Sequence, residues 1–112
     1  MLPENDAHIP LTEAVYYILL ALHTPMHGYG IMQYIQRISN GRVDLGPGTL
    51  YGAIKTMVEK GWIQLVDQHI KKRKKEYLIT EAGKSIVLHE FSRLQELVDN
   101  GNQIIRGENN DR

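Results

Sequence analysis

The sequence predicts a mainly α fold with a small β-hairpin past its middle and an extra long helix at its C-terminal end. Three observations carry this. Apolar residues recur at steps of three and four through four separate stretches. Two short segments rich in β-branched and aromatic residues flank five consecutive bases, Lys71 to Lys75. The last apolar stripe runs longer than the rest of so small a chain can cover. With 112 residues, 42% of them hydrophobic, there is material for one core and not for two independent domains.

In the first helix Leu11, Val15, Ile18 and Leu22 recur at steps of four, three and four, with Ala14 and Leu19 beside them. Pro10 and Thr12 stand near its start and Pro25 ends it. Gly28 precedes a second stripe, Ile31, Ile35 and Ile38, which stops at Ser39-Asn40-Gly41. The third helix opens at Gly46-Pro47, a cap followed by a proline at the first helical position, where the missing N–H costs nothing. Leu50, Ala53, Ile54, Met57 and Val58 share its inward face and Gly61 closes it; Gly48, Tyr51, Gly52, Lys55, Thr56 and Glu59 form the opposite face, with Thr49 at its edge. Trp62 to Val66 reads as a strand and Glu76 to Ile79 as its return partner, so the basic run lies at the hairpin tip. Thr80 starts the last helix, where Val87, Phe91, Leu94 and Val98 are spaced four, three and four and Ile105 follows one heptad later, with Ile86, Leu88 and Leu97 widening the stripe. Residues 1–80 are thus expected to form the head, 81–106 a C-terminal helix of the same compact unit, and 107–112 a flexible tail.

Several function classes find no support. Without cysteine there is neither a disulfide framework nor a cysteine-based zinc site, and the composition suits a reducing cytoplasm. The longest apolar run, Val15 to Leu22, is too short to span a bilayer, and the chain opens with Glu4 and Asp6 instead of a basic region, so neither membrane nor secretion is expected. His23 and His27 have the spacing of a helical metal pair, but Pro25 lies between them and no third ligand follows. His8, His69 and His89 are expected at the surface. Ser39, Ser85 and Ser92 lack a nucleophile-elbow context, no glycine-rich phosphate loop follows a strand, and no pair of carboxylates marks a cleft. The chain is therefore read as no enzyme, with no cofactor and no metal.

Net charge is zero, which argues mildly against a polyanionic partner, but its distribution reverses that inference. Met1 to Gln36 carries three acids and no base, Arg37 to Lys75 nine bases against three acids, and the remainder four bases against seven acids. Three helices followed by a hairpin with a basic tip is the order of a winged helix-turn-helix, in which the third helix enters the major groove and the hairpin touches flanking backbone. On that helix Tyr51, flanked by Thr49 and Lys55, is suited to stack on sugar or thymine methyl and to bond phosphate oxygens, with Thr56 on the same face. The alternative is that Tyr51 lies over the second helix with only its hydroxyl exposed. Gly52 costs roughly 1 kcal/mol against alanine inside a helix, so either close approach of DNA or a contact with a neighbouring loop should account for it. At the hairpin tip Lys72, Arg73 and Lys74 are the bases best placed for phosphates.

Four segments, His27-Gly28-Tyr29-Gly30-Ile31, Pro47-Gly48-Thr49-Leu50-Tyr51-Gly52-Ala53-Ile54, Lys60-Gly61-Trp62-Ile63 and Tyr77-Leu78-Ile79-Thr80-Glu81-Ala82-Gly83, resemble the PadR family of bacterial repressors in order and spacing. The resemblance covers about residues 11 to 100. It implies a DNA-binding transcriptional regulator, with Tyr29 at the start of the second helix, Thr49, Tyr51 and Lys55 on the recognition helix, and the basic tip near DNA. One departure is Gly46, where the family often has a serine cap. The length of the last helix resembles the shorter PadR subgroup, which implies a homodimer joined through that helix and the N-terminal one, here by Leu11, Val15, Val87, Phe91, Leu94, Val98 and Ile105. Some members bind planar drugs with a tryptophan on the last helix; this chain has none there, and its sole Trp62 is expected in the core under the hairpin. The expectation is a homodimeric repressor of a pseudo-palindromic operator on double-stranded DNA, released by an effector of unidentified chemistry. The competing reading is a winged-helix protein-protein module that does not bind DNA.

Overall fold

The computed structural model describes residues 9–66 and 74–107. Helix α1 (Glu13–Ala21) is capped by Thr12, whose hydroxyl accepts from Val15 N, and is followed by a two-residue strand β1 (Met26–His27). Helices α2 (Gly28–Ile38) and α3 (Pro47–Glu59) come next, then strands β2 (Ile63–Val66) and β3 (Glu76–Ile79). The long helix α4 (Glu81–Gly101) runs into a π-helical turn, Asn102–Arg106, closed by Gly107 in the left-handed region. The mainly helical class and the order of elements are as expected, with two differences. The hairpin is part of a three-stranded antiparallel sheet ordered β1-β3-β2, because Met26 and His27 pair with Tyr77 and Glu76. The last helix also loosens at Asn102 instead of continuing unbroken to 106.

The core lies where α1, α2 and α3 meet the sheet and the start of α4, and its fully buried side chains include Ile18, Leu19, Leu22, Ile31, Ile35, Leu50, Met57 and Ile63. Ile63 faces Ile79 across the hairpin, and Ile79 N donates to Leu22 O at 2.8 Å, which ties the sheet to the end of α1. Both helices of the helix-turn-helix end in left-handed caps that satisfy their last carbonyls. Asn40 (φ 56°) donates to Arg37 O while Gly41 N donates to Gln36 O, and Gly61 (φ 80°) donates to Val58 O while Trp62 N donates to Met57 O. Val58, placed on the inward face by periodicity, is exposed, because it falls at the edge of the stripe facing the cleft between α3 and the sheet.

Two joints fix α4. At its start Thr80 donates its N–H to Trp62 O (2.9 Å), its hydroxyl lies within reach of the Gly61 and Trp62 carbonyls (2.7 and 3.0 Å), and that oxygen also accepts from Gly83 N (3.0 Å). Gly83 packs so closely that a Cβ there would stand 2.1 Å from Trp62 O. Two turns on, Glu90, 5% exposed, takes hydrogen bonds from Arg93 Nε (2.9 Å) and Nη2 (2.7 Å) and accepts from Leu11 N (3.4 Å). Hydrogen bonding by Arg93 outweighs burial and, with that cation's charge and the Leu11 N–H, holds the Glu90 carboxyl below its ordinary value of 4.5.

A group whose folded pKa is depressed stabilises the fold fully above its unfolded pKa, and that contribution disappears as pH falls through the folded value. Between about pH 7 and about pH 3 the urea midpoint of the wild type is therefore expected to drop further than that of Glu90→Gln. Equal drops would refute a stabilising role for the Glu90 carboxylate.

Candidate nucleic-acid interface

The outward face of α3 is bare. Gly48, Thr49, Tyr51, Gly52, Lys55, Thr56 and Glu59 are all exposed, and Pro47 at the first position lets the helix begin without a side-chain cap on Gly46. Among the described residues a Cβ built at Gly52 meets nothing within 4 Å, and neither would one at Gly48. Of the two reasons advanced for Gly52, relief of a contact with a neighbouring loop finds no partner among the described residues, which leave out residues 67–73.

The face is more internally engaged than its composition suggests. Lys55 pairs with Glu59 one turn on (3.2 Å), and the Thr56 hydroxyl donates to Gly52 O (3.2 Å), which leaves Lys55 two further N–H donors and Thr56 its acceptor lone pairs for an outside partner. The Lys55–Glu59 pair is exposed at both ends and holds weakly. Tyr51 is 48% exposed and its hydroxyl end leans on the start of α2, so the hydroxyl is not the only exposed part of a ring lying over that helix. A Cβ at Gly28 would stand 2.0 Å from the Tyr51 hydroxyl oxygen, so the absence of a side chain at Gly28 is what allows the ring to lie across the junction.

Beside this face Tyr29, Tyr51 and Lys74 come together in one cleft with His27, Lys75 and Tyr77. Burial, with a smaller contribution from Tyr51, raises the Tyr77 phenol above its ordinary 10.0. Lys72 and Arg73, the other two bases expected at the tip, lie outside the described residues. The two histidines considered as a metal pair do separate work: His23 Nδ1 is bonded to the Leu19 and Leu20 carbonyls (3.0 and 3.1 Å), whereas His27 Nδ1 accepts from Gly30 N (3.1 Å) and caps α2. His27, Lys75 and Tyr77 were missed by sequence reasoning. For His27 the available signal was its position directly before the first residue of a helix.

The residues expected at a dimer seam divide. Phe91 and Val98 on α4 are 52% and 57% exposed, Ile105 in the π-helical turn beyond it is 81% exposed, and Leu94 is half-buried. Leu11 and Val15 pack partly against the core of this chain. Val87 does not belong to the seam as expected: at 6% exposure it is a core residue, because the first two turns of α4 lie on the head. Trp62 is half-buried, with the Lys60 ammonium 5.3 Å from its ring centre, so it is only in part the core residue expected. No helix among the described residues is long and apolar enough to cross a membrane.

Residues 17–89 match the model of the transcriptional regulator PadR-like family. A stretch of 73 residues is 34% identical to an uncharacterized 37.1 kDa protein in transposon TN4556 of Streptomyces fradiae, a match that takes in 62% of this chain and 20% of that protein, so the chain spans about a fifth of that relative. Among solved structures, a PadR family transcriptional regulator from Eggerthella lenta is similar with a TM-score of 0.69 at 20% identity, covering 81% of this chain and 80% of that one. Bacillus subtilis PadR in complex with operator DNA is similar with a TM-score of 0.55 at 26% identity, over 65% of this chain and 43% of that one.

Proposed function

Since the chain belongs to the transcriptional regulator PadR-like family, we propose that it is a homodimeric repressor that lays α3 of each copy in the major groove of a pseudo-palindromic operator. Family membership makes it a regulator of transcription and not an enzyme. One observation carries the operator reading: Gly52 stands on the exposed face of α3, where it costs the fold roughly 1 kcal/mol and relieves no contact among the described residues. A glycine kept there fits a helix whose backbone must come close to a duplex. Thr49, Tyr51, Lys55 and Thr56 surround it as the groups that read or brace the groove; Tyr29 and Lys74, with Lys72 and Arg73 of the tip, serve the flanking phosphates. The excess of bases between Arg37 and Lys75 and the likeness to Bacillus subtilis PadR, solved with operator DNA, support double-stranded DNA as the partner.

The head comprises residues to about 80, with the first turns of α4 packed on it; the rest of α4 and the turn that follows it join two copies through Phe91, Leu94, Val98 and Ile105. An effector of unidentified chemistry releases the operator. Binding to duplex DNA from upstream of the chain's own coding region tests the reading. Log affinity is expected to fall steeply and linearly with log salt, and a slope near zero would overturn it. The seam is tested by Phe91→Asp with Val98→Asp, which should sediment as monomers with helical content unchanged; a dimer that survives both charges would refute this interface.

A further inference from the structure

The cleft between β1, the start of α2, the middle of α3 and β3 encloses about 390 Å³ and is lined by His27, Tyr29, Tyr51, Lys74, Lys75 and Tyr77. Each of these six side chains can present an N–H, ammonium or O–H donor. Neither lysine forms an ion pair among the described residues, and against Glu76, which stands opposite His27 in the ladder, the two leave the cleft net positive. Such a lining repels a cation and offers an oxyanion several donors.

His27 is constrained in a further way. Its Nδ1 accepts from Gly30 N–H, so in the neutral ring the proton sits on Nε2. The capping bond thereby fixes the tautomer and leaves the second nitrogen as a donor without requiring the ring to be charged. Gly28 keeps the neighbouring position free of a side chain, and the Tyr51 hydroxyl occupies that space at the edge of the cleft.

From this arrangement we propose that the cleft seats one phosphate of the DNA backbone, held by Lys75 and the Nε2–H of His27. The proposal rests on the operator-binding reading and names a contact within it. The cleft lies between the helix that enters the groove and the strand leading to the hairpin tip. A phosphate held there would fix how α3 is rotated and how deep it sits, a positioning contact that is indifferent to base sequence.

The test measures affinity for specific and unrelated duplexes over a range of salt for the wild type, Lys75→Gln, His27→Asn and the double variant. Asparagine keeps an acceptor for Gly30 N–H and removes the outer ring nitrogen. Each single variant should bind both duplexes about tenfold more weakly, the size of one charge-assisted hydrogen bond. Lys75→Gln should lower the salt slope by about 0.9, whereas His27→Asn, which removes an N–H donor and keeps both lysines, should leave it in place. The double variant should lose less than the product of the two, since both act on one group. Should His27→Asn lower the melting temperature, Lys75→Gln alone carries the test through its affinity and slope. Salt-dependent binding by the wild type with unchanged affinities in the variants, or losses that multiply in full, would overturn the phosphate seat and leave the operator reading standing. A wild type with no salt-dependent binding would overturn the operator reading, and this proposal with it.

Discussion

Gly83→Ala is expected to cost the fold about 3 kcal/mol, although alanine is the better helix former by roughly 1 kcal/mol. The reason is the joint at the start of α4. The new methyl group would stand 2.1 Å from Trp62 O and 2.7 Å from Ile79 Cγ1. The carbonyl cannot easily retreat, because Trp62 O already accepts from Thr80 N at 2.9 Å and Thr80 caps the helix that carries Gly83. Either α4 shifts off the head or the Trp62 turn opens, and both disturb buried Ile79 and Val87. In a domain whose total stability is of order 5–15 kcal/mol, this is a large fraction. Urea denaturation followed by circular dichroism reads it directly, and a midpoint within error of the wild type would mean the contact is not maintained in solution.

Gly52→Gln should act in the opposite sense on stability and more strongly on binding. Nothing among the described residues lies within 4 Å of the position a Cβ would take, so the substitution brings helix propensity without a clash with them. A gain of about 0.5–1 kcal/mol and a melting temperature higher by a few degrees are expected. Operator affinity should fall about 100-fold, because the added side chain keeps the backbone of α3 from the groove and weakens several contacts together. The two readouts separate the meanings of this glycine. A stabilised variant with wild-type affinity would show that the bare face of α3 is not where DNA approaches.

The helices were legible in the sequence because amphipathic spacing and stop signals are local. Gly46-Pro47 at the start of α3 and Gly61 at its end stand where the structure has them. Strand β1 was not legible, since two residues carry no period and Met26 and His27 are extended only because Tyr77 and Glu76 receive them. Val87 was misassigned for a related reason: spacing says that a side chain must be covered, not whether its own chain or a second one covers it. Of the candidate site, the face of α3 followed from helical geometry, whereas the cleft did not. His27, Tyr51 and Lys75 are far apart in sequence; the pairing of β1 with β3 brings His27 and Lys75 together, and the close approach of α3 at Gly28 adds Tyr51. The demand on Gly83 was equally hidden, because it comes from a carbonyl 21 positions earlier.

The three-stranded ladder has a consequence for transplanting parts between regulators. Because β3 is shared by β2 on one side and Met26–His27 on the other, the hairpin is no detachable appendage. A chimera that imports a foreign wing would have to bring its matching dipeptide from before the second helix as well, or it would leave backbone groups on that edge unpaired.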